Sequence, residues 1–142
     1  MADTQEKRFL PADSAARKQI PIASGLFDYF PDALAAVANV SWIGNEKHNP
    51  GEPLHHARGK SMDHADCVAR HLIERGGHDV IMIDGVPHEL RHSAALAWRA
   101  LALLQEELEQ DLGLTLPRGA WVAPPATKSA EAAAPQPEHT DQ

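Results

Sequence analysis

A chain of 142 residues with a formal net charge of −7 and a single cysteine has room for one domain and excludes several classes of protein. The acidic balance argues against general nucleic-acid binding through a basic surface. Cys67 alone cannot form an intramolecular disulfide, which suits the reducing cytosol. No apolar run approaches the roughly 20 residues that span a bilayer, and the charged N-terminus lacks the apolar segment of a secretory signal. We therefore expect a cytoplasmic protein that does not bind membranes.

Composition divides the chain into three parts. Residues 1–19 are polar and mixed in charge, which predicts an N-terminal arm, and residues 20–113 carry the apolar periodicity of a folded domain. Residues 114–142 are rich in proline and alanine and poor in large apolar side chains, a composition typical of a disordered tail. The folded part is near the lower size at which a single core suffices, which makes a homodimer a reasonable expectation.

Three helices are predicted within the central part. The first covers residues 31–43, where a proline at the start and a glycine after the end match helix-terminal preferences. The second covers residues 61–75 with Ser61 as its N-cap, and the third covers residues 88–111 with a wide apolar face. An Asp-Gly pair after the run Val-Ile-Met-Ile allows a short β-hairpin near residues 79–86. The sequence thus predicts an all-α fold of three main helices with a long ordered loop between the first two.

The connection from Trp42 to Lys60 is the most informative segment. It exceeds the usual connection of about 4–6 residues, and it mixes glycine, proline and asparagine with imidazole and cationic side chains. Eight of the nine histidines lie between His48 and His92 rather than at a terminus. Glycines let a backbone approach a ligand closely, and the start of the following helix offers free N–H groups to an anion. We predict that the loop lines an anion site; the alternative is a structured loop whose cations are solvated.

The second predicted helix carries two carboxylates on one face. Asp63 and Asp66 lie three residues apart and Arg70 follows Asp66 by four, so all three can share that face. Carboxylate oxygens suit Mg²⁺, which leaves room for substrate phosphates. We predict a site for Mg²⁺ or Mn²⁺ at Asp63 and Asp66, and a catalytic set of these two residues with His71 and His92, which would position water or neutralise charge. The alternative is a surface Asp–Arg ion pair of little energetic weight.

Residues His88 to His92 match the zinc-binding pattern H-E-x-x-H. On a helix, two histidines four residues apart can chelate zinc while the glutamate acts as general base. A third ligand is lacking. The acidic candidates, Glu106 and Glu107, lie some 21 Å further along the same predicted helix, at about 1.5 Å per residue. They also fall on the solvent-exposed face of that helix. A zinc hydrolase is therefore kept as a remote alternative.

Two segments carry a family resemblance. Pro21 to Leu72 contains GN-x-x-HNPG, ARGKS, DH-x-D and RHL, and Arg91 to Glu109 contains AWRALALLQ. In these motifs the chain resembles the N-terminal domain of phage dATP/dGTP diphosphohydrolases, which also occurs as a stand-alone small protein of phages and prophages. The resemblance implies a nucleotide-hydrolase-like domain over residues 20–113. It also implies a metal-dependent reaction, in a bacterial cytoplasm, that converts a purine dNTP to dNMP and pyrophosphate.

The resemblance and the charge pattern together suggest which side chains bind substrate. They are Asn45, His48, Asn49, His56, Arg58, Lys60, Arg70 and Arg99. The alternative function is a non-catalytic accessory domain that binds a nucleotide or a protein.

Overall fold

The computed structural model describes residues 5–59 and 62–122, with only the main chain described at residues 121 and 122. Its helices are α1 (Ser14–Arg17), a π-helical turn (Ala23–Phe27), α2 (Pro31–His48), α3 (His64–Ile73) and α4 (His92–Leu112), and its strands are β1 (His56–Arg58), β2 (His78–Ile83), β3 (Val86–Arg91) and β4 (Ala120–Val122). β1 and β4 pair in parallel, whereas β2 and β3 form an antiparallel hairpin. The fold is therefore mixed α/β, and the prediction of an all-α fold is wrong.

The β2–β3 hairpin is the largest departure from the predicted fold. Its turn is Asp84-Gly85, where φ is 50° and 76°, and a two-residue turn of type I′ requires positive φ at both positions. The ladder extends from this turn to His78 opposite Arg91, well beyond the predicted hairpin near residues 79–86. β3 takes up residues that the sequence assigned to the third helix, because the turn places their backbone groups opposite β2, where they complete the ladder.

The hairpin also contradicts the assumption behind the H-E-x-x-H interpretation, namely that both histidines lie on one helix. His88 lies on β3, where its ring packs against Trp42 with a centroid distance of 5.1 Å, whereas His92 is the first residue of α4. Because the chain changes from strand to helix between them, the two histidines are not one helical turn apart. The spacing in the sequence therefore does not correspond to a helical zinc-binding pair.

α2 is longer than the sequence predicts. Gly44 does not adopt a positive φ, and the helix continues through it to His48, so Asn45 and His48 belong to a helix rather than to the loop. The N–H of Asn49 donates to the carbonyl of Asn45 at 2.7 Å, and Pro50 follows, which cannot donate a further helical hydrogen bond. The connection to α3 therefore begins after the helix, at Asn49.

Replacing Gly44 with alanine is expected to raise the free energy of unfolding by about 0.5–1 kcal/mol, because alanine loses less backbone entropy in a helix. A Cβ at this position meets no heavy atom within 4 Å. Gly85→Ala is the matched control, since it also has open space but has a φ of +76° and should destabilise the protein. Urea denaturation followed by circular dichroism measures both effects, and a loss of stability in Gly44→Ala would contradict the helical assignment.

Part of the predicted tail takes part in the fold. β4 pairs with β1 in a register that sets Ala120 beside His56. Nearby, the N–H of Thr115 donates to the carbonyl of Lys7 at 2.9 Å, and the N–H of Lys7 donates to Thr115 Oγ1 at 2.8 Å. Residues 123–142 of the predicted tail lie outside the described residues. So do Lys60 and Ser61, and with them the predicted N-cap.

The helices pack around a core in which every buried apolar residue except Ile43 is small, among the residues that the structure describes. These core residues are Ile43, Cys67, Ala94, Ala95 and Ala102. Ala94, Ala95 and Ala102 lie on α4, where small side chains let a neighbouring element approach the helix closely. Trp98 Nε1–H donates to Ser41 Oγ at 2.8 Å and attaches α4 to α2. Among the described residues, no helix is both long and apolar enough to cross a membrane.

Candidate functional site

A polar seam runs along the interface between α3 and α4. Residues seven apart return to nearly the same face of a helix, so His64 and His71 share one face of α3. His92, Arg99 and Glu106 share one face of α4 for the same reason. His71 meets His92 at one end, and His64 meets Arg99 and Glu106 further along, so the two helices are antiparallel. We call these five residues the α3–α4 seam.

Three side chains form a metal-ligand cluster at the hairpin end of the seam. They are His71, Glu74 and His92, and one donor atom from each lies within 4.8 Å of the other two. His71 Nδ1 lies 3.1 Å from His92 Nδ1, and His92 Nε2 lies 3.2 Å from Glu74 Oε2. Asp79 Oδ1, near the start of β2, lies 3.6 Å from His92 Nε2. Nitrogen and carboxylate donors thus converge from α3, the hairpin and α4.

The Gly76-Gly77 turn holds these elements together. The N–H of Gly77 donates to the carbonyl of Glu74 at 3.2 Å, and the N–H of His92 donates to the carbonyl of Gly77 at 3.2 Å. A Cβ on Gly77 would lie 3.3 Å from the Glu74 oxygen and 3.6 Å from His92 Cδ2. Gly76 has a φ of 88°, which favours glycine. The two glycines therefore allow the end of α3 to lie directly against the start of α4.

The electrostatics of the cluster favour neutral imidazole at His71. Burial lowers the pKa of His71 from its ordinary value, and the neighbouring His92 lowers it further. Glu74 acts in the opposite direction, while Arg99 and Arg70 add to the lowering of this pKa. A neutral ring keeps the nitrogen lone pair that binds a metal ion. His71 is therefore in the protonation state that ligation requires at neutral pH.

The other end of the seam is a buried charge cluster, formed by Arg58, Glu106 and Glu109. Arg58 Nη2 donates to Glu109 Oε2 at 3.0 Å, and Arg58 Nη1 lies 3.6 Å from Glu106 Oε1. The side chains of Arg58 and Glu109 are only 11% and 9% exposed. This Arg58 cluster holds β1 against α4. It also neutralises a guanidinium that the sequence assigned to substrate phosphates.

His64 and Arg99 connect the two ends of the seam. A guanidinium cannot accept a hydrogen bond, so Arg99 Nη1 donates to His64 Nδ1 at 3.3 Å. His64 Nε2 lies 3.1 Å from Glu106 Oε2, but the two groups are poorly aligned, and this buried nitrogen has no well-formed hydrogen bond within the described part of the chain. Arg99 is also close enough to His71 to lower its pKa. Its charge therefore lies between the Arg58 cluster and the metal-ligand cluster.

The aspartates predicted to bind metal lie outside the metal-ligand cluster. Asp63 precedes α3, and its Oδ2 lies 3.4 Å from Arg70 Nη2 and 3.5 Å from Cys67 Sγ. Arg70 Nη2 also lies 2.9 Å from that sulfur. Asp66 is exposed on the first turn of α3. Of the four residues predicted to be catalytic, only the two histidines meet in the cluster, and a metal site at Asp63 and Asp66 stays a prediction.

Several residues predicted to bind substrate make contacts that hold the loop in place. Asn45 is buried, and its Nδ2 donates to the carbonyl of Glu52 at 2.9 Å, which attaches the loop to α2. His56 packs its ring against Trp98 with a centroid distance of 4.9 Å. His48 is exposed at the end of α2. Substrate contacts by these residues stay a prediction.

Glu74 and Asp79 are not among the site residues that the sequence predicts. Glu74 follows His71 by three residues, a spacing that places both on one side of a helix, and a glycine pair follows. That combination is a usable signal for a ligand pair at a helix end. Asp79 has no local signal, because its approach to His92 depends on the register of the hairpin.

The stability of the protein is expected to fall as the pH drops below about 6.5, in part because of His56. Burial lowers the pKa of His56 from 6.5 in the folded protein, and the charge of Arg58 lowers it further. The other charged groups facing it are Glu106, which raises its pKa, and His64 and Arg99, which lower it. The unfolded chain therefore binds a proton that the folded chain does not, so stability rises with pH across the interval between the two pKa values and is complete above the unfolded one.

Urea denaturation at a series of pH values tests this linkage. His56→Gln should reduce the dependence, because the titrating group is removed while a polar side chain of similar size remains. His48→Gln, at the exposed end of α2, is the matched control and should leave the dependence unchanged. Equal pH profiles for His56→Gln and the unsubstituted protein would contradict the assignment.

Comparison of the chain with protein-family models, with curated proteins and with solved structures found no significant match in any of the three. The resemblance to phage diphosphohydrolase domains therefore stays a prediction. The geometry of the metal-ligand cluster is the main basis for assigning a function.

Proposed function

We propose that this chain is a metal-dependent hydrolase that removes pyrophosphate from a purine deoxynucleoside triphosphate. The observation that carries the proposal is the convergence of His71, Glu74 and His92, with Asp79 beside them. The substrate class comes from the resemblance in GN-x-x-HNPG, ARGKS and AWRALALLQ. The cluster adds what such a reaction needs, namely a group of ligands for a divalent cation close to protein cations.

The cluster has the composition of a divalent-cation site. Imidazole nitrogens and carboxylate oxygens are common ligands of such ions, and the side chains of Glu74 and Asp79 are each 59% exposed, so they are open to solvent. When bound, the ion would lower the pKa of a water ligand and offset phosphate charge. Arg70 and Arg99 lie close enough to the cluster for their charges to lower the pKa of His71. They are the cations that we assign to the phosphate oxygens.

The proposed reaction transfers the α-phosphoryl group to water. The oxygen of a water molecule forms a bond to the α-phosphorus, and the bond from that phosphorus to the bridging oxygen breaks, which releases pyrophosphate and dNMP. An oxygen of Glu74 or Asp79 that does not bind the ion accepts the proton from water. Arg99 would orient the phosphate chain from its position between the two ends of the seam.

A second candidate function is binding without chemistry. It is favoured by the positions of Asp63 and Asp66, which lie outside the metal-ligand cluster and so do not add their carboxylates to it. A binding module of this kind would show a nucleotide-dependent rise in Tm without any product.

Turnover assays separate the two functions. The purified chain is incubated with each dNTP and with Mg²⁺, Mn²⁺, Co²⁺ or Zn²⁺, and dNMP and pyrophosphate are quantified. We expect product from a purine dNTP and a loss on the order of 100-fold or more in His71→Asn, since a metal ligand is removed. His78→Asn is the control and should keep its activity. His78 is a half-exposed histidine at the start of β2. Absence of product with every nucleotide and metal would overturn the enzymatic proposal.

A further inference from the structure

We infer that the metal-ligand cluster binds one zinc-like transition-metal ion, of the Zn²⁺, Co²⁺ and Ni²⁺ class, rather than Mg²⁺, and that Asp79 is its fourth protein ligand. The inference deepens the proposed function by naming the metal, and it rests on the same cluster, although it does not depend on turnover. It departs from the expectation of Mg²⁺ or Mn²⁺ at a pair of aspartates.

The donor set is the first reason. Mg²⁺ binds oxygen almost exclusively and keeps several water ligands, whereas imidazole nitrogen suits Zn²⁺ and its neighbours in the transition series. His71 and His92 provide two imidazoles, and Glu74 provides a carboxylate. Zn²⁺ accepts mixed sets of imidazole and carboxylate ligands, and it can expand from four ligands to five, so a water molecule would bind as a fifth ligand beside the four from the protein.

The distances between donor atoms are the second reason. In a tetrahedral zinc site, metal–ligand bonds of about 2.0–2.1 Å place neighbouring donor atoms about 3.3 Å apart. His92 Nε2 lies 3.2 Å from Glu74 Oε2 and 3.6 Å from Asp79 Oδ1, close to this spacing, and the donor atoms of His71, Glu74 and His92 lie within 4.8 Å of one another. One ion uses only one ring nitrogen of His92, so the other ligands must adjust around it. The carboxylate side chains, each 59% exposed, have room to do so, whereas the His92 side chain is only 10% exposed.

The charges around His92 Nε2 are the third reason. Glu74 Oε2 and Asp79 Oδ1 approach this one nitrogen at 3.2 Å and 3.6 Å. A single ring N–H cannot donate well to two carboxylates, which also repel each other. A divalent cation between them would bind both carboxylates and would offset their formal charge. The position of Asp79 at the start of β2 therefore makes it the fourth ligand, and the ion would attach the hairpin to the seam.

Metal binding by the purified full chain, stripped with a chelator, tests the inference without any assay of activity. Co²⁺ is titrated and followed by its visible absorption, Zn²⁺ competition gives its affinity, and Tm is measured with Zn²⁺, Co²⁺ or Mg²⁺ at equal concentration. We expect one equivalent of Co²⁺ with the intense bands of low coordination number, and a rise in Tm of several degrees with Zn²⁺ or Co²⁺ that Mg²⁺ does not produce.

Ligand variants complete the test. His92→Asn should weaken Zn²⁺ binding on the order of 100-fold or more, and Asp79→Asn by about 10–100-fold, while His78→Asn should not change it. Because His92 is buried and its variant could misfold, the exposed Glu74→Gln serves as a second ligand variant and should also weaken binding. The assignment of a zinc-like ion would be overturned if Glu74→Gln left the Zn²⁺ affinity unchanged, or if Mg²⁺ bound as tightly as Zn²⁺. Unchanged Zn²⁺ affinity in Asp79→Asn would show that Asp79 is not a ligand of the ion.

The outcomes also separate this inference from the proposed function. Tight Zn²⁺ binding lost in the ligand variants, without hydrolysis of any dNTP, would support the metal site and overturn the enzymatic function. If Glu74→Gln hydrolyses the dNTP with Mg²⁺ as well as the unsubstituted protein does, the proposed function stands and the zinc-like site is overturned.

Discussion

Replacing Arg58 with methionine is expected to lower the free energy of unfolding by about 3–5 kcal/mol, one of the two largest effects that we expect for a single substitution. The Arg58 side chain is 11% exposed and lies 3.0 Å from Glu109 Oε2, whose side chain is 9% exposed. Methionine preserves much of the apolar volume but leaves the carboxylate buried without its partner. The cost is therefore the desolvation of an unpaired charge rather than the loss of packing.

A double substitution separates these two causes. Arg58→Met combined with Glu109→Met removes both buried charges, so most of the loss should be recovered, because the net contribution of a buried ion pair is small relative to an apolar replacement. Arg91→Met is the matched control. Arg91 pairs with Glu89 at 3.5 Å, but both side chains are well exposed, so its loss should cost no more than about 1 kcal/mol. If the double variant is as unstable as Arg58→Met, the guanidinium stabilises the protein through packing instead.

Replacing Ile43 with alanine is expected to cost about 2–5 kcal/mol. Ile43 is 2% exposed and is the one large apolar side chain that is almost fully buried in the described part of the chain. Alanine removes three carbons from the interior and leaves a cavity among the helices, which adds to the lost transfer free energy. Because the rest of the core consists mainly of alanines and Cys67, few neighbouring side chains can move to fill that cavity.

Urea denaturation measures the effect of Ile43→Ala, and a second isoleucine provides the control. Ile73, at the end of α3, is 79% exposed. Ile73→Ala should therefore stay within about 0.5 kcal/mol of the unsubstituted protein, as is usual for surface positions. A similar loss at both positions would mean that Ile73 is covered in solution, for instance by a second copy of the chain.

The helical part of the fold was predictable because its signals are local. Proline at the start of α2 and the apolar periodicity of residues 92–111 both act within a few turns of one helix. The start of the third helix was predicted too early, at His88, because Leu90 fits a helical period as well as it fits an alternating strand pattern. The Asp84-Gly85 turn decides between them, since it folds these residues back onto β2.

The candidate site was predictable only in part. His71 and His92 stood out because histidine is rare enough for a dense group of them to be informative. Glu106 was assigned to the solvent face, yet it contacts Arg58 and His64. Nothing in the local sequence distinguishes a solvated glutamate near an apolar helix face from one that pairs across an interface.

The sequence alone predicts three helical segments, the Asp84-Gly85 turn and the unusual density of histidines in the middle of the chain. Those properties depend on hydrophobic periodicity, turn chemistry and composition, which act between near neighbours. The packing of the elements, in contrast, is what brings His71 and His92 to Glu74 and Asp79 and buries Arg58 against Glu109. These contacts join residues on different elements, so they depend on the antiparallel packing of α3 on α4 and on the register of the hairpin, which no local pattern specifies.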